Sequence, residues 1–115
     1  MPTYVALLYT QDVDWTEPQY SQETSDYAEF GEAAAAVLRG GEALYPTATA
    51  TTVQVRGGKG GEVITSDGPY AETKEALTGF YVLECEDLEA AVAVAATIPA
   101  AWGGGAVEVR PVIKF

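Results

Sequence analysis

The sequence predicts an α+β fold of the ferredoxin-like βαββαβ plan, with an additional hairpin inserted in the middle of the chain. Short runs rich in β-branched and aromatic residues are separated by two longer segments with helical periodicity. Their order along the chain is strand, helix, several strands, helix, strand. The 115 residues, 48% of them hydrophobic, suffice for one core, so residues 1–115 are predicted to form a single domain.

The first part of the chain supplies one strand and one helix. Residues 4–9 are apolar on both faces, which is typical of an interior strand. A helix is expected to follow, because Thr16 and Gln19 have the spacing of a capping box. Apolar residues at helical spacing and a run of alanines continue the helix, and Gly40-Gly41 is expected to end it.

The middle of the chain predicts the inserted hairpin. Residues 43–45 are expected to form a short strand. Residues 49–56 and 62–65 have strand composition, and they flank a flexible tip, Gly57-Gly58-Lys59-Gly60-Gly61. The following Ser66-Asp67-Gly68-Pro69 is typical of a turn.

The last part of the chain completes the plan with strand, helix and strand. Residues 79–85 are predicted to be a strand. Asp87 is positioned to cap a second helix that runs to about Ile98 and ends at Pro99. Residues 107–113 are predicted to form the final strand.

This plan leaves one face of the sheet without cover. Both helices are expected on one face of a mostly antiparallel sheet, while the opposite face also carries apolar side chains. A broad apolar face exposed to water is unfavourable. We therefore predict a homodimer in which a second copy covers that face.

Composition argues against several classes of function. With a net charge of −11 and only six basic residues, the chain has no stripe for reading phosphates, and anionic membranes would repel it. The single cysteine, Cys85, can form no intrachain disulfide, and no signal segment is recognisable, so we expect a cytoplasmic protein. There is no histidine, and Asp12 and Asp14 alone are a weak metal pattern, so no metal or cofactor is predicted.

One segment carries a resemblance to a known family. The run Asp67-Gly68-Pro69-Tyr70-Ala71-Glu72-Thr73-Lys74-Glu75, followed by Gly79-Phe80-Tyr81-Val82, resembles the signature of the DGPF-type branch of the YCII-related family. Tyr70 stands where that branch usually has phenylalanine. Residues 4–9, 40–44, 48–55 and 107–112 are also similar, so the resemblance covers nearly the whole chain.

The resemblance implies a fold more than a chemistry. It implies a dimeric ferredoxin-like α+β barrel. A histidine–aspartate pair has been suggested as an active site in the wider family, but this chain has no histidine to supply it, so no catalytic role is transferred. Some DGPF-type proteins are associated with extracytoplasmic-function sigma factors.

Two carboxylates are candidate catalytic residues. Asp67 lies near a strand end and Glu72 lies in the charged stretch that follows, where either carboxylate can act as a base. The structural alternative is that Asp67 satisfies its own turn and that Glu72 belongs to a solvated loop.

Four further residues are candidates for ligand binding, namely Arg110, Lys74, Tyr9 and Tyr81. In the last strand Arg110 alternates with Val109, so it is predicted to point towards the dimer-facing side and to bind a carboxylate or an anionic ligand there. Lys74 lies between the carboxylates of Glu72 and Glu75. This group can bind a polar ligand, or it can form only exposed ion pairs in a solvated loop. These two tyrosines, together with Trp15 and Tyr70, are expected to line an aromatic pocket, or to pack in the core or interface.

Three functions follow from these candidates. The favoured one is an accessory domain that binds a small molecule or a protein partner. The second is a cofactor-independent enzyme in which Asp67 or Glu72 is the base and Arg110 stabilises an anion. The third, which rests on the family resemblance, is a regulatory partner of an extracytoplasmic-function sigma factor.

Overall fold

The computed structural model describes residues 1–115 and confirms the α+β fold. The strands are β1 (Thr3–Thr10), β2 (Leu38–Ala43), β3 (Thr51–Arg56), β4 (Glu62–Asp67), β5 (Ala76–Glu84) and β6 (Ala106–Pro111). The helices are α1 (Ser21–Ala33), α2 (Leu88–Ala95) and the short α3 (Pro99–Trp102). None of these helices is long and apolar enough to cross a membrane.

The strands form two separate antiparallel sheets. The larger sheet has the order β2-β5-β1-β6, so β1 lies in its interior as its two apolar faces predict. The strands β3 and β4 pair only with each other, which confirms the inserted hairpin. Its tip is the predicted glycine-rich segment, where Gly57, Gly58 and Gly60 have positive φ angles.

The core lies between one face of the larger sheet and the helices. In β1 the buried positions alternate, with Tyr4, Ala6 and Leu8 directed towards the helices. Leu83 on β5 and Ile98 after α2 are fully buried beside them. Because these side chains come from distant parts of the chain, their burial holds the helices against the sheet.

The end of the first helix differs from the prediction. Helix α1 ends at Ala33, and Gly40 and Gly41 belong to β2 instead of forming a helix end. Gly41 lies opposite Tyr81 with a φ of 152°, and a Cβ there would lie 2.5 Å from the carbonyl oxygen of Phe80. Gly41 therefore permits the close approach of an edge strand to β5.

The start of this helix was also predicted incorrectly. Thr16 caps no helix, because its Oγ donates a 2.6 Å hydrogen bond to Asp14 and its backbone N–H donates to the same carboxylate at 2.9 Å. This local turn competes with a capping box. A 3₁₀ turn at Pro18–Tyr20 follows, and α1 begins at Ser21.

Two further boundaries change and one is confirmed. Residues 43–45 form no separate strand, because pairing with β5 already ends at Ala43. Asp87 caps α2 as predicted, accepting a 2.9 Å hydrogen bond from the backbone of Ala90. That helix ends at Ala95 instead of Ile98, and Pro99 begins α3, where its missing N–H costs nothing.

The second face of the larger sheet has no helix over it. On this open face Val5 lies opposite Val82 and Leu7 opposite Phe80, and these four side chains are half-buried. Tyr9 and Leu77 continue the row. The division into one covered and one uncovered apolar face agrees with the sequence prediction.

Leu83 tests the role of the core. We expect Leu83→Ala to lower the free energy of unfolding by about 2–5 kcal/mol, because it leaves a cavity in a fully buried site. Urea denaturation followed by circular dichroism measures the loss. The control is Leu88→Ala, whose side chain is exposed and should cost less than about 1 kcal/mol. Equal losses in the two variants would contradict this description of the core.

Candidate functional site

Two adjoining cavities lie where β1 ends and β5 begins, beneath the first turns of α1. One cavity of about 290 Å³ is lined by apolar and aromatic side chains together with the backbone of two glycines. Its lining includes Leu8, Trp15, Tyr27, Gly41, Thr78, Gly79 and Tyr81. It is therefore formed by β1, β2, β5 and the inner side of α1.

A second cavity of about 390 Å³ adjoins the first. It is more polar, and its lining includes Thr10, Glu23, Asp26, Lys74, Glu75 and Trp102. Trp15 and Tyr27 line both cavities. We therefore treat them as the apolar and polar halves of one site, called the α1 cleft below.

Two tyrosines stand in the apolar half. Burial, with a smaller contribution from the nearby Tyr81, raises the pKa of Tyr27 to about 12, and a hydrogen bond with the backbone of Ala100 opposes this rise. Burial also raises the pKa of Tyr81, whose ring packs against Phe30 with centroids 5.0 Å apart. Both phenols are therefore neutral hydrogen-bonding groups at physiological pH.

A β-bulge places a pair of hydroxyl groups at the floor of the cleft. Leu8 pairs with Gly79 and Tyr9 with Leu77, so Thr78 is an extra residue in β5. Its Oγ lies 2.7 Å from the Oγ of Thr10 in a buried hydrogen bond. Thr78 lines the apolar half and Thr10 the polar half, so this pair joins the two halves.

Charged groups of both signs meet in the polar half. Glu23 belongs to α1, and its Oε2 is buried with no hydrogen-bond partner within the chain. Lys74 and Glu75 come from the segment that precedes β5. A buried carboxylate oxygen without a donor is costly, so this half favours a ligand that can donate a hydrogen bond.

The predicted carboxylates occupy separate places. Asp67 is the exposed last residue of β4, and its turn is held by other groups: Gly68 donates to the carbonyl of Ala50 at 2.8 Å, and Thr52 donates to the carbonyl of Gly68. Glu72 lines a third cavity, of about 540 Å³, together with Tyr9. The chain therefore brings Glu72 and Tyr9 together, and Asp67 lies outside the cavities described here.

The other predicted ligand-binding residues are also dispersed. Lys74 lines the polar half of the α1 cleft, and Tyr81 lines the apolar half. Arg110 lies opposite Val5 on the open face, where its Nε donates a 2.5 Å hydrogen bond to Glu108. Its direction within the sheet is the predicted one, and Glu108 is the carboxylate that pairs with it.

The segment with the family resemblance connects two of these sites. Pro69, Ala71, Glu72 and Thr73 line the third cavity, whereas Lys74 and Glu75 line the α1 cleft. The segment thus wraps around the end of the sheet where β5 begins. The family segment is therefore associated with the cleft by its place at this end of the sheet and not by one particular side chain.

Two loop aspartates have structural partners. Asp12 accepts hydrogen bonds from the side chain and backbone of Thr47, and Asp14 accepts them from Thr16. These bonds hold the pKa of both carboxyls below the usual value. Asp12 thereby ties the loop after β1 to the segment before β3.

Several cleft residues were missed by sequence reasoning, among them Thr10, Thr78 and Glu23. A bulge leaves no pattern in one sequence, so Thr78 had no recognisable signal. Glu23 lies off the apolar face of the predicted helix, so its position along the helix gives no signal for a cleft residue. Trp15 and Tyr81 were expected in an aromatic pocket and do line one cavity together, with Tyr27 from the predicted buried face of α1.

The chain is thus a small α+β protein. Helices cover one face of its antiparallel sheet, a hairpin is inserted in the middle of the chain, and a cleft lies at one end of the sheet. The particular family follows from comparison of sequences. The model of the YCII-related domain matches residues 4–115, and the chain therefore belongs to the YCII-related family.

A relative in Rhizobium meliloti (strain 1021) is similar to this chain and is described as an uncharacterized protein. The two sequences are 43% identical over 73 residues, which cover 63% of this chain and 56% of the relative. The matched part is thus a little over half of the relative's length.

The raised pKa of Tyr27 predicts that the protein loses stability at alkaline pH. Its pKa is about 12 in the folded chain and about 10 when unfolded, so its contribution is fully present below pH 10 and is lost as pH rises through 12. We expect Tyr27→Phe to reduce the fall in urea midpoint across this range. The control Tyr45→Phe changes an exposed tyrosine and should keep the wild-type slope. If the urea midpoint of Tyr27→Phe falls with pH as steeply as that of the wild type, Tyr27 is not the group that causes the loss of stability.

Proposed function

We propose that the protein is a homodimeric binding protein that holds a small amphipathic molecule in the α1 cleft. The supporting observation is the composition of the cleft, in which aromatic walls from Trp15, Tyr27 and Tyr81 adjoin a polar half. Sites for small molecules usually combine an apolar lining with a few convergent polar groups.

The two halves of the cleft indicate the chemistry of the ligand. A ring or short aliphatic body fits the apolar half, where the neutral phenols and the Thr10–Thr78 pair offer hydrogen bonds. The polar half offers an acceptor at Glu23 and a cation at Lys74. A ligand with one apolar end and one end bearing both donor and acceptor groups matches this arrangement.

Binding is favoured over catalysis because the candidate catalytic groups do not converge within the chain. Glu72 lines the third cavity, Asp67 ends a separate hairpin, and Arg110 pairs with Glu108 on the open face. General-base catalysis requires the base and the anion-stabilising group around one substrate. The enzyme and the regulatory partner of a sigma factor stay predictions.

The dimer is proposed to form through the open face. Val5, Leu7, Phe80 and Val82 present a continuous apolar row there, with Arg110 and Glu108 beside it. Covering such a row with a second copy removes it from water and leaves the charged pair towards the rim. A two-fold axis lets the same surface serve both copies.

A blocked cleft tests the binding function. Thr24 is an exposed residue of α1 that lines the apolar half, so Thr24→Trp should fill the cleft without disturbing the core. We expect wild type to be thermally stabilised by members of a library of amphipathic metabolites, and Thr24→Trp to lose that stabilisation. The matched control is Ser25→Trp, one residue along and outside the cavities described here. Equal stabilisation of both variants would place binding elsewhere.

A charge in the open face tests the dimer. We expect Leu7→Lys to weaken self-association by more than about tenfold in sedimentation equilibrium, because dimerisation would bury the new ammonium group. In the monomer this lysine lies opposite Glu108, so folding should be retained and circular dichroism checks it. The control Thr24→Lys adds the same charge on α1 and should leave association unchanged. A wild-type chain that stays monomeric would refute the dimer.

A further inference from the structure

The β3–β4 hairpin, residues 51–67 and called the arm below, projects from the body of the molecule. Its strands pair with each other, and neither packs extensively against another strand or helix. The radius of gyration is 16.2 Å, whereas a compact domain of this length has about 13 Å. The arm therefore accounts for an extended shape of 46 × 41 × 20 Å.

One face of the arm is apolar and fully open to solvent. Val55 lies opposite Val63 and Val53 opposite Thr65, so three valines form a patch on the same face. Their exposed fractions are 49%, 65% and 59% in that order. The other face is mainly polar, with Thr52, Gln54, Arg56, Glu62 and Ser66 around a half-buried Ile64.

Such an arm needs a surface to pack against. An isolated two-stranded hairpin is marginally stable in water, and a tip with four glycines adds to the entropy lost on ordering. Three adjacent exposed valines also leave an edge ribbon prone to unspecific pairing. Burial of the valine patch on another surface resolves both problems.

We infer that the arm of each copy packs its valine patch against the second copy, beside that copy's open sheet face. This inference rests on the proposed dimer and extends it, because it assigns the arm to the interface. One chain then presents both unpartnered apolar surfaces, the patch and the open face. Under two-fold symmetry each arm reaches the other copy, and the assembly closes with two copies.

Charge favours a second copy as the occupant. The arm holds two basic residues, Arg56 and Lys59, and two acidic ones, Glu62 and Asp67, so the net charge of −11 lies on the rest of the chain. Two bodies of this charge repel each other, whereas a neutral arm with a cationic tip approaches an acidic body without that cost. The open face itself carries acidic residues, because Glu84 lies there opposite Thr3 and Glu108 opposite Leu7.

The valine patch gives a direct test. We expect the triple variant Val53→Thr/Val55→Thr/Val63→Thr to weaken the dimer at least about tenfold in sedimentation equilibrium, since it removes apolar area from the interface. Threonine keeps the strand preference, so the arm itself is preserved. The matched control is Gln54→Thr/Ser66→Thr on the other face, which should associate as wild type does.

Hydrogen exchange gives a second readout on the unmodified protein. Amides of β3 and β4 should gain protection as protein concentration rises through the range of dimer formation, and the triple variant should lose that gain. Amides of β1 serve as the internal reference, because they lie inside the main sheet of each copy.

The outcomes separate this inference from the dimer itself. A wild-type dimer that the valine variant leaves intact, with unprotected arm amides, would overturn the role of the arm and leave the open-face dimer standing. A wild-type chain that is monomeric at all concentrations would overturn both. If the valine variant weakens the dimer while the Gln54→Thr/Ser66→Thr control does not, and the arm amides gain protection with concentration, the arm is supported as part of the interface.

Discussion

One-sided cover of the larger sheet is the constraint on which the remaining structure depends. Every strand alternates its side chains between two faces, and the helices can bury only one of them. Tyr4, Ala6 and Leu8 pack under the helices, while Val5 and Leu7 of the same strand face away. The cleft lies on the covered side, beneath α1, whereas the open face and the separate hairpin leave apolar side chains without cover from the rest of the chain.

The cleft shows how a small domain can make a site at the end of its sheet. β1 ends and β5 begins there, β2 lies beside β5, and α1 begins just above, so residues from four elements meet around a common space. Aromatic rings supply the apolar surface with few rotatable bonds, and neutral phenols supply hydrogen bonds without a buried charge. Charged groups enter from α1, from the segment before β5 and, through Glu42, from β2.

Much of the fold was predictable because alternation and turn chemistry are local signals. The interior position of β1, the glycine-tipped hairpin, the Asp87 cap and the direction of Arg110 all follow from neighbours in sequence. The errors arose where tertiary contacts decide. Gly40 and Gly41 resemble a helix end, but both belong to an edge strand, and Gly41 allows this strand to approach Tyr81. Glu23 shares a cleft with Lys74, which is distant in sequence, so no local pattern around Glu23 indicates the cleft.

The bulge in β5 has a consequence for how the chain tolerates changes in length. Thr78 is supernumerary, because Leu77 and Gly79 pair with consecutive residues of β1. A chain shorter by this one residue would keep each neighbouring side chain on its present face. It would lose the contact between the two hydroxyls and the hydrogen bond that the backbone N–H of Leu44 donates to the carbonyl of Thr78. Insertion or deletion of a single codon at this position can thus add or remove a polar group at the floor of the site without moving the other side chains of β5 to the opposite face of the sheet.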